Sequence, residues 1–92
     1  MESLSNFDQL VLDAAYNDYE APRTLAGDLS RMLGRTVAEQ EVYSAFRKLT
    51  HLGLVQAFQF DTVAQEYRPV QPAALPALSD LWFLAVRSAP TS

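Results

Sequence analysis

The sequence contains no cysteine among its 92 residues, which excludes a disulfide framework and a thiolate metal site. Its longest purely apolar run, Leu81 to Val86, is far shorter than the roughly 20 residues that span a bilayer. The first residues are acidic and polar, which is not the pattern of a secretory signal peptide. We therefore expect a cytoplasmic protein with no membrane partner.

Histidine and glycine are also scarce. His51 is the only histidine, and the three glycines form no phosphate-binding loop. A single histidine without cysteine or a neighbouring acidic pair cannot build a zinc site, and no Ser-His-Asp set can be recognised. We expect no enzymatic activity, no cofactor and no metal.

Basic residues are fewer than acidic ones, at 7 against 11, so the net charge is −4. Residues 1–20 contain five acids and no base, and residues 57–92 contain two bases and three acids. Residues 21–56 contain five bases and three acids, which is the only basic surplus. Because phosphate binding needs positive surface, any nucleic-acid contact should lie in this central block.

Apolar residues make up 49% of the chain, which is enough for one core, and we expect residues 1–92 to form a single domain. The spacing of apolar residues predicts helices over about 6–19, 25–33 and 37–52. Ser5 or Asn6 is expected to cap the first helix, and Thr24 the second. The third should start with a capping box formed by Thr36 and Glu39.

After Gly53 the apolar period changes from 3.6 toward 2, which predicts strands over about 54–60 and 63–70. Residues 79–87 fit either a third strand or a short helix, and the unbroken apolar run favours the strand. Three helices followed by a β ribbon form an α+β fold, a winged helix in which the second and third helices make a helix-turn-helix and the ribbon makes a small antiparallel wing.

Residues 41–55, with the sequence EVYSAFRKLTHLGLV, resemble the third helix and wing entry of PadR-like bacterial regulators and, more loosely, of MarR-like ones. The resemblance implies a DNA-binding transcriptional regulator whose third helix enters the major groove of double-stranded DNA, while the wing contacts the backbone or the minor groove. As a DNA-binding regulator the chain is expected to act as a homodimer, in which two weak half-sites add.

The residues expected to contact DNA are polar or basic, and most lie on or beside the third helix. They are Arg23, Arg35, Thr36, Gln40, Ser44, Arg47, Lys48, His51 and Arg68. The acids Glu39 and Glu41 at the start of that helix are unusual for a groove-reading helix, and the wing contains further acids. An alternative is therefore a winged-helix protein-interaction or dimerisation module that does not bind DNA. In it, Trp82 and Phe83 would be buried against a partner or a second copy.

Overall fold

A computed structural model of the chain describes residues 4–16, 18–71 and 81–86. Three helices come first: α1 (Asn6–Ala14), α2 (Pro22–Leu33) and α3 (Glu39–His51). Three strands follow: β1 (Val55–Asp61), β2 (Glu66–Val70) and β3 (Leu81–Ala85). They form an antiparallel sheet in the order β2-β1-β3. The expected α+β class with a winged-helix layout is thus confirmed, and residues 81–85 are a strand.

The core lies between the helices and one face of the sheet. Each layer supplies fully buried side chains, including Val11 of α1, Leu29 of α2, Phe46 of α3 and Phe83 of β3. The rings of Phe46 and Phe83 stack in parallel with centroids 4.3 Å apart. This contact fixes α3 against the sheet and determines which face of α3 remains exposed.

The first helix begins as expected and ends earlier than expected. Ser5 caps it, and the Asp8 carboxylate completes a capping box by accepting a hydrogen bond from the Ser5 backbone. The predicted continuation to residue 19 is wrong, because the helix ends at Ala14. Glu20 instead pairs with Phe83, each backbone N–H donating to the other's carbonyl at 2.8 Å. This pairing requires extended backbone just after the helix.

The second helix starts at Pro22, and the predicted cap at Thr24 is wrong. Ala21 is the N-cap and makes no side-chain capping bond. Proline suits the first helical position because its fixed φ matches the helix and its missing N–H would be unpaired there. Gly34 ends the helix in the left-handed conformation, at φ 66°, one residue after the predicted helix end at residue 33.

The third helix starts at Glu39, so the predicted capping box of Thr36 and Glu39 is also wrong. Ala38 is the N-cap and again makes no side-chain capping bond. Val37 is buried, and its N–H donates to the hydroxyl of Ser30 in α2 at 2.8 Å. This tertiary bond keeps residue 37 outside the helix and sets the turn between α2 and α3.

The wing is the hairpin of β1 and β2. Asp61 closes its tip by accepting hydrogen bonds from the backbone N–H groups of Val63 and Ala64, at 2.9 and 3.0 Å. Val63, predicted to begin a strand, lies in this turn and is 93% exposed. The turn covers residues 62–65, two residues more than the gap between the two predicted strands, and Asp61 is the last residue of β1.

Candidate nucleic-acid interface

The exposed side of α3 carries a line of polar side chains opposite the core. Gln40, Ser44, Arg47 and His51 are all exposed. At 100° per residue these four positions fall within an arc of roughly 60°, and they extend over about 16 Å of helix. Four of the predicted DNA contacts therefore share one surface, which we call the α3 stripe.

Lys48 does not point the same way as its neighbour Arg47. Its Nζ lies 3.0 Å from Oδ2 of Asp8 in α1, and its side chain is only 33% exposed. Lys48, which the sequence predicts to contact DNA together with Arg47, is thus occupied by an acid of the same chain. The physical reason is an ion pair across 40 residues of sequence, which the local pattern of α3 does not reveal.

The ion pair with Lys48 changes the pKa of Asp8. Its burial raises the pKa of the carboxyl, but hydrogen bonds from Lys48 and Ser5 outweigh that effect and hold the pKa below its ordinary value. Asp8 is 7% exposed, so a charged carboxylate is kept in place mainly by these two partners. It joins the start of α1 to the flank of α3.

Arg35 is likewise occupied within the chain. Its guanidinium forms two hydrogen bonds to the Glu41 carboxylate, at 2.9 and 3.3 Å, and lies 5.8 Å from the ring centre of Phe7. The hydrogen bond from Arg35 lowers the pKa of Glu41, and the same bond raises the pKa of Arg35. Thr36 is exposed beside it, and its carbonyl accepts a further bond from Arg35 at 3.2 Å.

The wing offers no free base among the described residues. Arg68 donates to Asp61 at 2.8 Å and lies 3.1 Å from Glu66. Hydrogen bonds from the backbone of Ala64 and from Arg68 lower the pKa of Asp61. The structure therefore places Arg68 between two acids of the hairpin tip.

The two arginines of α2, Arg23 and Arg31, differ from each other. Arg23 is exposed in the first turn of the helix and forms no ion pair with any described residue. Arg31 pairs with Asp28 on the same helix. Arg47 resembles Arg23 in having no described acidic partner, so among the described residues the unpaired arginine charge lies at these two positions.

Phe83 lies on the opposite face of β3 from Trp82, and its predicted interface role is wrong. Its side chain is 0% exposed and belongs to the core. Trp82 is half-buried on the other face of the sheet, where its ring lies edge-on to Tyr67, with centroids 5.9 Å apart. Successive strand residues point to opposite faces, so the two neighbours cannot share one exterior surface.

The outer face of the sheet carries an aromatic cluster. Tyr67 contacts four of its rings: Tyr19, Phe58, Phe60 and Trp82. The ring of Tyr19 stacks on Tyr67 with centroids 3.7 Å apart and planes 5° apart. Sequence reasoning missed Tyr19, because nothing near it in the chain indicates that the segment after α1 reaches across the sheet.

Within the described part of the chain, no group of three His, Asp or Glu side chains could hold a metal ion. No helix among the described residues has the length and apolar character needed to cross a membrane. Comparison with protein-family models, curated proteins and solved structures finds no significant match. The function must therefore be argued from the site itself.

Proposed function

We propose that this chain is a winged-helix DNA-binding module of a transcriptional regulator, with α3 entering the major groove. The observation that supports it is the α3 stripe, which lies on the second helix of a helix-turn-helix. Winged helices and other helix-turn-helix domains present this helix to DNA. The resemblance of residues 41–55 to PadR-like regulators points to the same surface.

The chemistry of the stripe suits base edges. Arginine can donate two hydrogen bonds to guanine, glutamine can pair with adenine, and serine can donate or accept. The stripe is about 16 Å long and would lie within a major groove that is about 12 Å wide. Arg47 would be the main base contact, with Gln40 and Ser44 beside it.

The electrostatics favour base contacts over phosphate contacts. Of the six described lysines and arginines, four are in ion pairs with acids of the same chain: Arg31, Arg35, Lys48 and Arg68. Each phosphate contact contributes about 0.9 to the salt slope of binding. We therefore expect a shallow slope and weak non-specific affinity, with two half-sites bound together by a dimer.

Selection of tight binders from a random duplex pool, followed by anisotropy titration, tests the proposal. Arg47→Ala should weaken binding by roughly 5- to 150-fold, because a good bidentate base contact is worth about 1–3 kcal/mol. Arg31→Ala is the matched control: it removes the same charge from an exposed helix position outside the stripe. Failure to select any duplex at low salt, or equal losses in both variants, would contradict the proposal.

A second candidate function, self-association, is favoured by the aromatic cluster. The outer-face side chains of β1 that lie in it, Phe58 and Phe60, are uncharged, as are their cross-strand partners Pro69, Trp82 and Tyr67. Aromatic side chains are enriched in the cores of protein interfaces. A second copy of the chain is the proposed occupant, which would bring two α3 stripes to one DNA site.

Trp82 is the only tryptophan of the sequence, so its fluorescence reports this face directly. Dilution across a dimer's dissociation range should shift its emission to the red, and light scattering should show the mass falling to that of one chain. Tyr67→Ser should move the dissociation to higher protein concentration, whereas Tyr43→Ser, on a flank of α3, should not. A monomer at all concentrations would exclude self-association.

A further inference from the structure

Lys48 occupies a position from which it could reach either α1 or DNA. It lies four residues after Ser44 and three before His51, so its stem starts beside the α3 stripe. Its ammonium group is nevertheless turned toward Asp8, with Nζ 3.0 Å from Oδ2. A lysine side chain has a flexible four-carbon stem, so a change of rotamers can redirect its charge without moving the helix.

Asp8, by contrast, is held in one place. Its Oδ2 accepts a hydrogen bond from the Ser5 backbone at 3.1 Å, and its own N–H donates to the Ser5 hydroxyl at 3.0 Å. These bonds belong to the cap of α1, so the carboxylate remains there whether or not Lys48 is bound. Lys48 is the flexible member of the pair, so it can exchange Asp8 for another anion.

We propose that Asp8 sequesters Lys48 and thereby limits the affinity of the module for polyanions. The Asp8 carboxylate takes the place at Lys48 that a DNA phosphate would occupy. A phosphate can therefore bind Lys48 only by displacing that carboxylate. This proposal rests on the proposed function, since the α3 stripe is the surface whose affinity is regulated. Its consequence is that non-specific duplex is bound weakly, while base contacts to a specific site are unaffected.

Asp8→Asn tests this mechanism, because it removes the charge that competes for Lys48. Asp13→Asn is the matched control: it makes the same charge change on the same helix, at an exposed residue whose carboxylate accepts a bond from Gln9. Both variants are measured by elution from heparin, a sulfated polyanion, and by titration of random duplex at 50 and 200 mM salt.

We expect Asp8→Asn to elute from heparin at higher salt than Asp13→Asn. One added phosphate contact steepens the salt slope by about 0.9. Asp8→Asn should therefore lose about three to four times more affinity for duplex than Asp13→Asn across the fourfold rise in salt. Adding Lys48→Met to both variants should abolish both differences.

Equal elution of Asp8→Asn and Asp13→Asn from heparin would overturn the mechanism, whatever the DNA results. If wild type selects no duplex while Asp8→Asn still elutes later, the proposed function fails and the sequestration stands. Should Asp8→Asn not fold, Lys48→Met is compared with Arg31→Met, which also removes one base from an ion pair and leaves its acid behind. Equal losses of heparin retention support sequestration, and a larger loss in Lys48→Met would show that Lys48 already binds the polyanion in wild type.

Discussion

The two faces of the sheet carry similar aromatic contacts in very different surroundings. On the inner face, Phe83 stacks on Phe46 of α3, and both rings are fully buried. On the outer face, Tyr67 stacks on Tyr19 with a similar parallel geometry, and both rings are half-buried. Ring geometry alone therefore does not determine how much a contact contributes to stability, because the amount of water excluded around the rings differs.

The largest difference in the loss of unfolding free energy should appear between substitutions of the neighbours Phe83 and Trp82. Phe83→Ala should lower the free energy of unfolding by about 3–5 kcal/mol, the usual range for a buried phenylalanine. Trp82→Ala should cost roughly 1–2 kcal/mol, because its ring is half-exposed and leaves no enclosed cavity. Urea denaturation followed by circular dichroism measures both. Equal losses of unfolding free energy would mean that the outer face of the sheet excludes water as well as the inner face does.

A smaller effect should identify the outer stack as a true pairwise contact. Tyr19→Ala and Tyr67→Ala should each destabilise the fold, and the double variant should cost less than their sum. The expected coupling is about 0.5–1.5 kcal/mol, the range for aromatic pairs. The same cycle on Tyr19 and Phe60 is the control, since these rings make no described contact with each other. Additive costs for Tyr19 and Tyr67 would show that the stack contributes nothing of its own.

Much of this architecture could be predicted from local sequence signals. The helix order, the ends at Gly34 and Gly53, and the change of period after residue 53 all depend on residues close in the chain. The two glycines adopt positive φ, at 66° and 76°, as expected of residues that end helices. The unbroken apolar run that favours a strand at residues 81–85 is also local, although it does not show which residues face the core.

The candidate site was predicted less well because its electrostatics are tertiary. Counting charges over residues 21–56 suggested a basic surface, but Lys48 pairs with Asp8 and Arg35 pairs with Glu41. Neither pair is separated by a helical repeat of three or four residues, which is the spacing that sequence patterns reveal. The start of α3 was misplaced for a related reason: Ser30 of α2 binds the backbone of Val37.

The smallest expected effect is the pH dependence of stability that Glu20 causes. Its neighbour Tyr19 lies against the outer face of the sheet. Glu20 pairs with Phe83, so its side chain lies on the inner side, where it is partly buried. Burial raises the pKa of this carboxyl, and the nearby Asp28 and Asp18 raise it further. The folded chain therefore takes up a proton at higher pH than the unfolded chain, whose glutamate has its ordinary value of 4.5.

The sign of the pH dependence follows from this raised pKa. As pH falls from 7 through the folded-state pKa toward 4.5, stability should rise, because the folded state binds the proton first. Glu20→Gln removes the charge, so it should stabilise the protein at pH 7 by a few tenths of a kcal/mol, and this advantage should vanish near pH 4.5. Urea unfolding at several pH values measures it, with Glu39→Gln at an exposed position as control.

Asp8 provides the opposite sign in a separate pH window. Its pKa lies below the ordinary 3.8, so its contribution is complete above that value and is lost as pH falls through the lowered pKa. The Glu20 effect is therefore centred at higher pH than the Asp8 effect, and the difference between wild type and Glu20→Gln isolates it. A difference that stays constant from pH 7 to pH 4.5 would mean that Glu20 is solvated like a surface residue, and that the inner side of the sheet is open to water at this edge.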